Sequence, residues 1–269
     1  MKILLRSVVD FLRDGGLMLA GSLSYFSMMA FFPFCLFLVT IFGYFLGEQK
    51  DFYQFFLSKL ISFFPKVTSE VTQELKMIIT HKGLGKFTLL LYGLLSYQLF
   101  SSMESAVNVI FKVKVKRSFF VSVILSLFLV TLISVFFLVS FSASSSISML
   151  DPMKEFFPTL KMNRITGIVI GFIIPFILMF LTVATVYILV PKKRVRLAHA
   201  CSGAMFTAIF LEVAKHIFTF YVRHVFRLGT IYGPLSAFVI FLLWVYYSSC
   251  IFLIGAKVVY NQEVSGGNA

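Results

Sequence analysis

Residues Tyr232 to Lys257 read YGPLSAFVIFLLWVYYSSCIFLIGAK, and this stretch decides what kind of protein the chain encodes. From Gly233 to Ala256 it holds no charged residue. Tyr232-Gly-Pro234 is a helix start, with proline in the first turn, where its missing N–H leaves no hydrogen bond unmade. The apolar run that follows is long enough to cross the roughly 30 Å of bilayer hydrocarbon as a helix. Trp244, Tyr246 and Tyr247 fall midway along it, away from the interfaces where such rings usually lie. Their N–H and O–H groups need partners at membrane depth, so the expectation is a face turned into a helix bundle. Ser248 and Ser249 would serve as interhelical hydrogen-bonding groups on it.

The rest of the chain repeats the pattern. Of 269 residues, 59% are hydrophobic and 13% charged, with a mean hydropathy of +0.95, against about 25% charged in soluble domains. The reading is an all-α integral membrane protein with six transmembrane helices, at about 17–46, 85–109, 118–141, 165–190, 198–221 and 233–257. Residues 1–269 then form a single polytopic domain.

Sidedness comes from the short loops. Lys112-Val-Lys-Val-Lys-Arg117 and Pro191-Lys-Lys-Arg-Val-Arg196 each hold four basic residues and no acid, which assigns them to the cytoplasm and puts both termini there. The net charge of +13 sits largely in such connections, where topology and anionic headgroups account for it without nucleic acid. The first sixteen residues, MKILLRSVVDFLRDGG, predict an amphipathic helix at the membrane surface that stays attached, because the apolar run behind it is too long for a cleaved signal. Between spans 1 and 2, Glu48 to Lys86 predicts two outer-surface amphipathic helices broken at Pro65.

Spans 1 and 4 each carry an internal proline. Pro33 leaves the carbonyl of Met29 without its helical donor and Pro175 does the same for Gly171, so both helices are expected to kink. AFFPFCLFLVT (30–40) and FIIPFILMFLT (172–182) agree at Pro, Phe, Leu and Thr. Either the halves form a 3+3 inverted repeat with broken helices at a midplane site, or apolar segments with tolerated prolines match by composition.

Charges inside spans cost about 2.5 to 3.5 kcal/mol each at mid-helix, which makes them pointers to function. Glu104 stands in span 2 with Asn108 one turn later. In span 5, Glu212, Lys215 and His216 share one face at i, i+3 and i+4. They form either an intrahelical ion pair with a histidine reaching headgroups or part of a substrate or ion path, His216 being able to titrate near neutral pH. Span 1 adds Ser24, Tyr25 and Ser27 beside Pro33. The candidate pathway is therefore Ser24, Tyr25, Ser27, Pro33, Glu104, Asn108, Glu212, Lys215, His216, Tyr232, Trp244 and Tyr247.

Enzyme chemistry is not expected. The four histidines are scattered, Cys35, Cys201 and Cys250 form no CxxC pair, and no HExxH, GxSxG or phosphate-loop motif occurs. No catalytic residue, metal or cofactor is assigned.

Several strings resemble the YihY/BrkB family of bacterial inner-membrane proteins. SLSYFSMMAFFPF (22–34) resembles its first-span signature, ESAVN (104–108) its E-x-A-L-N, and PKKRVR, Gly203 and LEVAK its P-x-x-x-V-x-W, G and W-E-x-x-K pattern. GTIYGPLSAFVIFLLWVYYSSCIFLIGAK (229–257) is similar to its last span. Leu197 and Leu211 stand where the family usually has tryptophan, and Lys257 where it usually has glutamate, so no role of that glutamate carries over. The resemblance implies a location in the bacterial cytoplasmic membrane and similarity to proteins connected with serum resistance and lipopolysaccharide or lipid export. The family's other name, ribonuclease BN, finds no metal ligands or aqueous domain in these residues.

Two functions are expected from this reading. One is a transporter or flippase-like permease for an amphipathic or lipid-related envelope substrate, passive, ion-coupled or driven by a partner. The other is a non-transporting scaffold that contacts an envelope protein partner. Membrane lipids are partners in either case.

Overall fold

The computed structural model describes residues 2–30, 85–113, 118, 120–135 apart from 127, 130, 133 and 134, 172–224 and 236–266. Among them the chain forms seven helices and no strand. These are α1 (Lys2–Arg13), α2 (Gly16–Ala30), α3 (Gly85–Ile110), α4 (within 120–135), α5 (Ile174–Leu189), α6 (Leu197–His224) and α7 (Ser236–Gly266). Pro33, Tyr232, the outer-surface helices expected between Glu48 and Lys86, and one of the two strings compared for the repeat lie outside the described residues.

Among the described residues, two helices are long and apolar enough to cross a membrane, α6 over Leu197–Tyr221 and α7 over Val239–Gly266. The 31 residues of α7 extend about 46 Å at 1.5 Å per residue. That exceeds the hydrocarbon thickness, so one end of α7 must project beyond it. Asn261, Gln262 and Glu263 mark the C-terminal turns as that end.

The chain gathers into two compact units. One comprises residues 1–17, 104–215 and 250–269, the other residues 18–103 and 216–249.

In the first unit, α1 ends because Gly15 adopts φ +72°, a left-handed conformation that costs glycine little and lets its N–H bond back to the carbonyl of Leu12 at 3.3 Å. The chain then restarts directly as α2. Helix α3 ends the same way without a glycine. Lys112 takes φ 55°, its N–H reaches Val109 O at 3.0 Å, and the N–H of Val113 reaches Asn108 O at 2.9 Å, which is the Schellman pattern.

The core of this unit is built on small residues. Ala200, Ala204 and Ala208 recur every four residues along α6 and are fully buried, as are Leu253, Ala256 and Val259 of α7. Such stripes let helix backbones approach closely where water supplies no driving force between them. Tyr187 of α5 fills the junction, its hydroxyl 2.8 Å from Thr207 Oγ1 and donating to the carbonyl of Phe252 at 2.6 Å. The buried tyrosine hydroxyl thereby has a carbonyl to donate to and a second hydroxyl within hydrogen-bond distance.

Pro175, where a kink was expected, lies at a change of helical winding. It stands in the first turn of α5, and residues 172 and 173 form a wider π-helical turn directly ahead of it.

In the second unit, Trp244 of α7 packs on Phe218 of α6 with ring centroids 5.1 Å apart. Ser22 of α2 and Ser102 of α3 bring their hydroxyls to 3.3 Å.

Candidate functional site

Among the described residues of the first unit, three polar clusters stand out, each where a short backbone segment meets a helix end. The first surrounds Glu104. Ser122 donates to its Oε2 at 2.9 Å, and Lys192 Nζ lies 3.4 Å from its Oε1. One turn on, Asn108 Oδ1 accepts the Lys192 N–H at 3.3 Å. Glu104 and Asn108 are both buried. They clamp the first residues of the basic loop, and α3 and α4 are joined through the Ser122 bond. The sequence placed the two residues on one face, and the structure supplies Lys192 and Ser122 as their partners.

The second cluster was not foreseen. Lys257 is fully buried, with an exposure of 0%. Its ammonium pairs with Asp14, donates to the carbonyl of Ile110 at 3.4 Å and lies 4.6 Å from the centre of the Tyr260 ring. One turn further along α7, Asn261 Nδ2 donates to Ser7 Oγ and to Asp10 Oδ2, both at 3.1 Å. The polar side of α1 therefore faces α7. Ser7, Asp10 and Asp14 recur at i, i+3 and i+7, and Lys257 and Asn261 at i and i+4. Those two matching polar stripes were the signal available in the sequence.

The third cluster ties the end of the basic loop to the last turns of α7. Glu263 Oε1 accepts the Arg196 N–H at 2.6 Å and lies 2.9 Å from His199 Nδ1. Ser202 donates to Gln262 Oε1 at 2.7 Å beside it. Burial raises the Glu263 pKa, but the Arg196 N–H and the His199 ring, with the positive charges of both residues, outweigh it and hold the carboxyl below its ordinary value. A carboxylate whose folded pKa is depressed stabilises the fold above its unfolded value and loses that contribution as pH falls through the folded one. The clasp is therefore expected to hold at neutral pH and to release at a pH below 4.5, the ordinary value. Amide hydrogen exchange at Arg196 measures this, and protection that persists in Glu263→Gln would refute it.

The other predicted residues are placed as follows. Glu212 and Lys215 form an ion pair at 2.5 Å within α6, with Lys215 exposed, and His216 is exposed next to them. Ser24 is buried and donates to the carbonyl of Gly21 at 2.8 Å, within its own helix. Ser27 is half-buried. Tyr25 is 53% exposed and Tyr247 49% exposed. Trp244 is half-buried against Phe218. Among the described residues, no group of three or more His, Cys, Asp or Glu could hold a metal ion.

Comparison with known proteins places the sequence in a family. The family profile described as Virulence factor BrkB matches residues 7–267. A UPF0761 membrane protein of Aliivibrio salmonicida is 30% identical over 245 residues, 89% of this chain and 76% of its own. One from Glaesserella parasuis is 30% identical over 207 residues, 76% of this chain and 72% of its own. One from Chlorobium chlorochromatii reaches 44% identity over 86 residues, 32% of this chain and 20% of its own. No solved structure matches the chain. The profile spans nearly the whole sequence and the relatives are membrane proteins, so this chain is a membrane protein of the BrkB family.

Proposed function

We propose that the protein is a non-enzymatic permease of the bacterial cytoplasmic membrane, flippase-like, that moves an amphipathic or lipid-related envelope substrate. Six spans with both termini in the cytoplasm complete this reading. The observation that carries it is Ser248 of α7, whose hydroxyl is buried without a hydrogen-bond partner among the described residues. It lies one turn from Trp244 on a helix long enough to span the bilayer. An orphan hydroxyl at that depth calls for water or a polar group passing by, because hydrocarbon offers it none. The Glu212–Lys215 pair on α6 adds charge at membrane depth, which marks substrate or ion paths more often than lipid-facing surface.

The test is flux of a fluorescent phospholipid across proteoliposomes containing the full chain. Ser248→Ala and Glu212→Gln are each expected to lower flux about tenfold with unchanged thermal stability. Wild-type flux no faster than in empty vesicles, or flux unchanged in both variants, would sink the proposal.

A scaffold is the second reading. It is favoured by the closed pairing of Glu104 with Lys192 and Ser122, and of Lys257 with Asp14, which is how a rigid assembly satisfies its buried charges.

A further inference from the structure

Helix α1 is docked in the opposite sense to a surface helix of a soluble protein. Its polar side, Ser7, Asp10 and Asp14, is bonded to α7, while Leu4, Leu5, Val8, Val9 and Leu12 are exposed. In water that exposed face would be a liability. In a membrane protein it is the face that enters the headgroup and acyl boundary. The polar stripe held by α7 fixes the rotation of α1 about its axis, so the apolar face cannot turn away from the lipid.

That face is not a flat surface. Leu4, Leu5, Val8 and Val9 form one wall of a groove of about 370 Å³, and α6 and α7 supply the rest, Phe210 and Ile254 among them. Every lining side chain is apolar. The groove is therefore suited to hydrocarbon and unsuited to a polar peptide or a soluble metabolite.

The charge beside it selects among lipids. Leu5, Val9 and Arg13 succeed one another at four-residue spacing, so the stripe that lines the groove ends in a guanidinium in the last turn of α1. Arg13 is exposed, and Arg6, also exposed, adds a second guanidinium on the adjoining stripe. Of the neighbouring acids, Asp14 is turned to Lys257, whereas Asp10 accepts from Asn261 and also pairs with Arg6 at 3.7 Å, so the headgroup assignment rests on Arg13. A guanidinium next to a hydrocarbon groove matches a phosphate next to an acyl chain.

We propose that the groove between α1, α6 and α7 binds one acyl chain of an anionic phospholipid of the surrounding leaflet, with the lipid's phosphate on Arg13. None of the groove's lining residues belongs to the proposed transport path, so the inference does not depend on that reading.

The full chain is reconstituted into phosphatidylcholine vesicles doped with either of two diazirine-bearing probes, a phosphatidylglycerol or a phosphatidylcholine, and the labelled peptides are identified. The anionic probe is expected to label the α1, α6 and α7 lining about fivefold more than the zwitterionic one, the factor one basic residue contributes near an anionic headgroup. Arg13→Gln should bring the two probes level, and Arg13→Lys should restore part of the preference. Val9→Trp, which fills the groove, should lower labelling by both. Equal labelling by the two probes in the wild type, or labelling spread evenly over all lipid-facing helices, would mean annular lipid only and would overturn the proposal. Should Val9→Trp fail to fold, the Arg13→Gln and Arg13→Lys pair still decides the headgroup assignment.

Discussion

Asp14→Ala is expected to destabilise the protein by about 3 to 5 kcal/mol, the cost of leaving one member of a buried ion pair without its partner. The two members are not equivalent. Lys257 is 0% exposed, so its ammonium has no route to water once Asp14 is gone, whereas the Asp14 side chain is 21% exposed and can be hydrated when the lysine is removed. Lys257→Met should therefore cost distinctly less than Asp14→Ala. It keeps most of the volume that packs against Tyr260 and loses mainly the bond to the Ile110 carbonyl. The double replacement Asp14→Leu with Lys257→Met should recover most of the loss, because an apolar pair of similar volume is often as stable as a buried ion pair. Denaturant-induced unfolding in detergent micelles measures all three. If Lys257→Met proves as harmful as Asp14→Ala, the buried ammonium is not the dominant cost and the account is wrong.

The second large effect is expected at Gly255. A methyl group there would lie 2.5 Å from the Tyr187 hydroxyl and 3.2 Å from the Gly203 carbonyl, and would also strike Thr207 Oγ1. The obstacle is partly backbone, so rotating one side chain cannot remove it. Gly255→Ala must either push α6 from α7 or break the bonds between Tyr187, Thr207 and the Phe252 carbonyl. Overpacking of this kind costs typically 1 to 3 kcal/mol, and a lost bond at a buried hydroxyl adds about 1 to 3 more. Combining it with Tyr187→Phe removes the hydroxyl that the methyl meets, so the double variant should lose less than the sum of the singles. Strict additivity in that cycle would show that the two sites do not share the space assigned to them.

Both expectations concern contacts that sequence reading did not reach, and the reason is physical. A transmembrane helix announces itself through composition, because each apolar residue contributes independently to crossing the hydrocarbon. The run from Gly233 to Ala256 needed no partner to be read, and its expected helix appears as α7. The amphipathic helix at the N-terminus was legible for the same reason, since its period is a local property of MKILLRSVVDFLR. Which side of it faces protein was not. That depends on Asn261 and Lys257, some 250 positions away in the chain.

The candidate pathway shows the same division. Glu104, Asn108, Glu212 and Lys215 were found because a charge or amide in an apolar run is anomalous wherever it occurs. For Glu212 the partner was also legible, because an i, i+3 pair is set by the helix itself. Glu104 is different, since its partners Ser122 and Lys192 come from α4 and from the loop that follows α5. Tyr247 was expected on an inward face because it falls midway along its apolar run, and the structure leaves about half of it exposed. An amphipathic ring in a membrane protein satisfies its hydroxyl equally at a helix contact or at an interface, so residue type does not choose.

By itself, then, the sequence determined that this is a helical membrane protein of the BrkB family, where its apolar runs lie and which of its residues are out of place in hydrocarbon. Those properties are sums over local segments or matches of short strings. Only the tertiary structure decided that Lys257 belongs to Asp14, that α1 turns its polar side to α7, and that glycines of α6 and α7 meet at Tyr187. Pairing of this kind is fixed by how helices rotate about their axes when packed, and periodicity along one helix leaves that angle open.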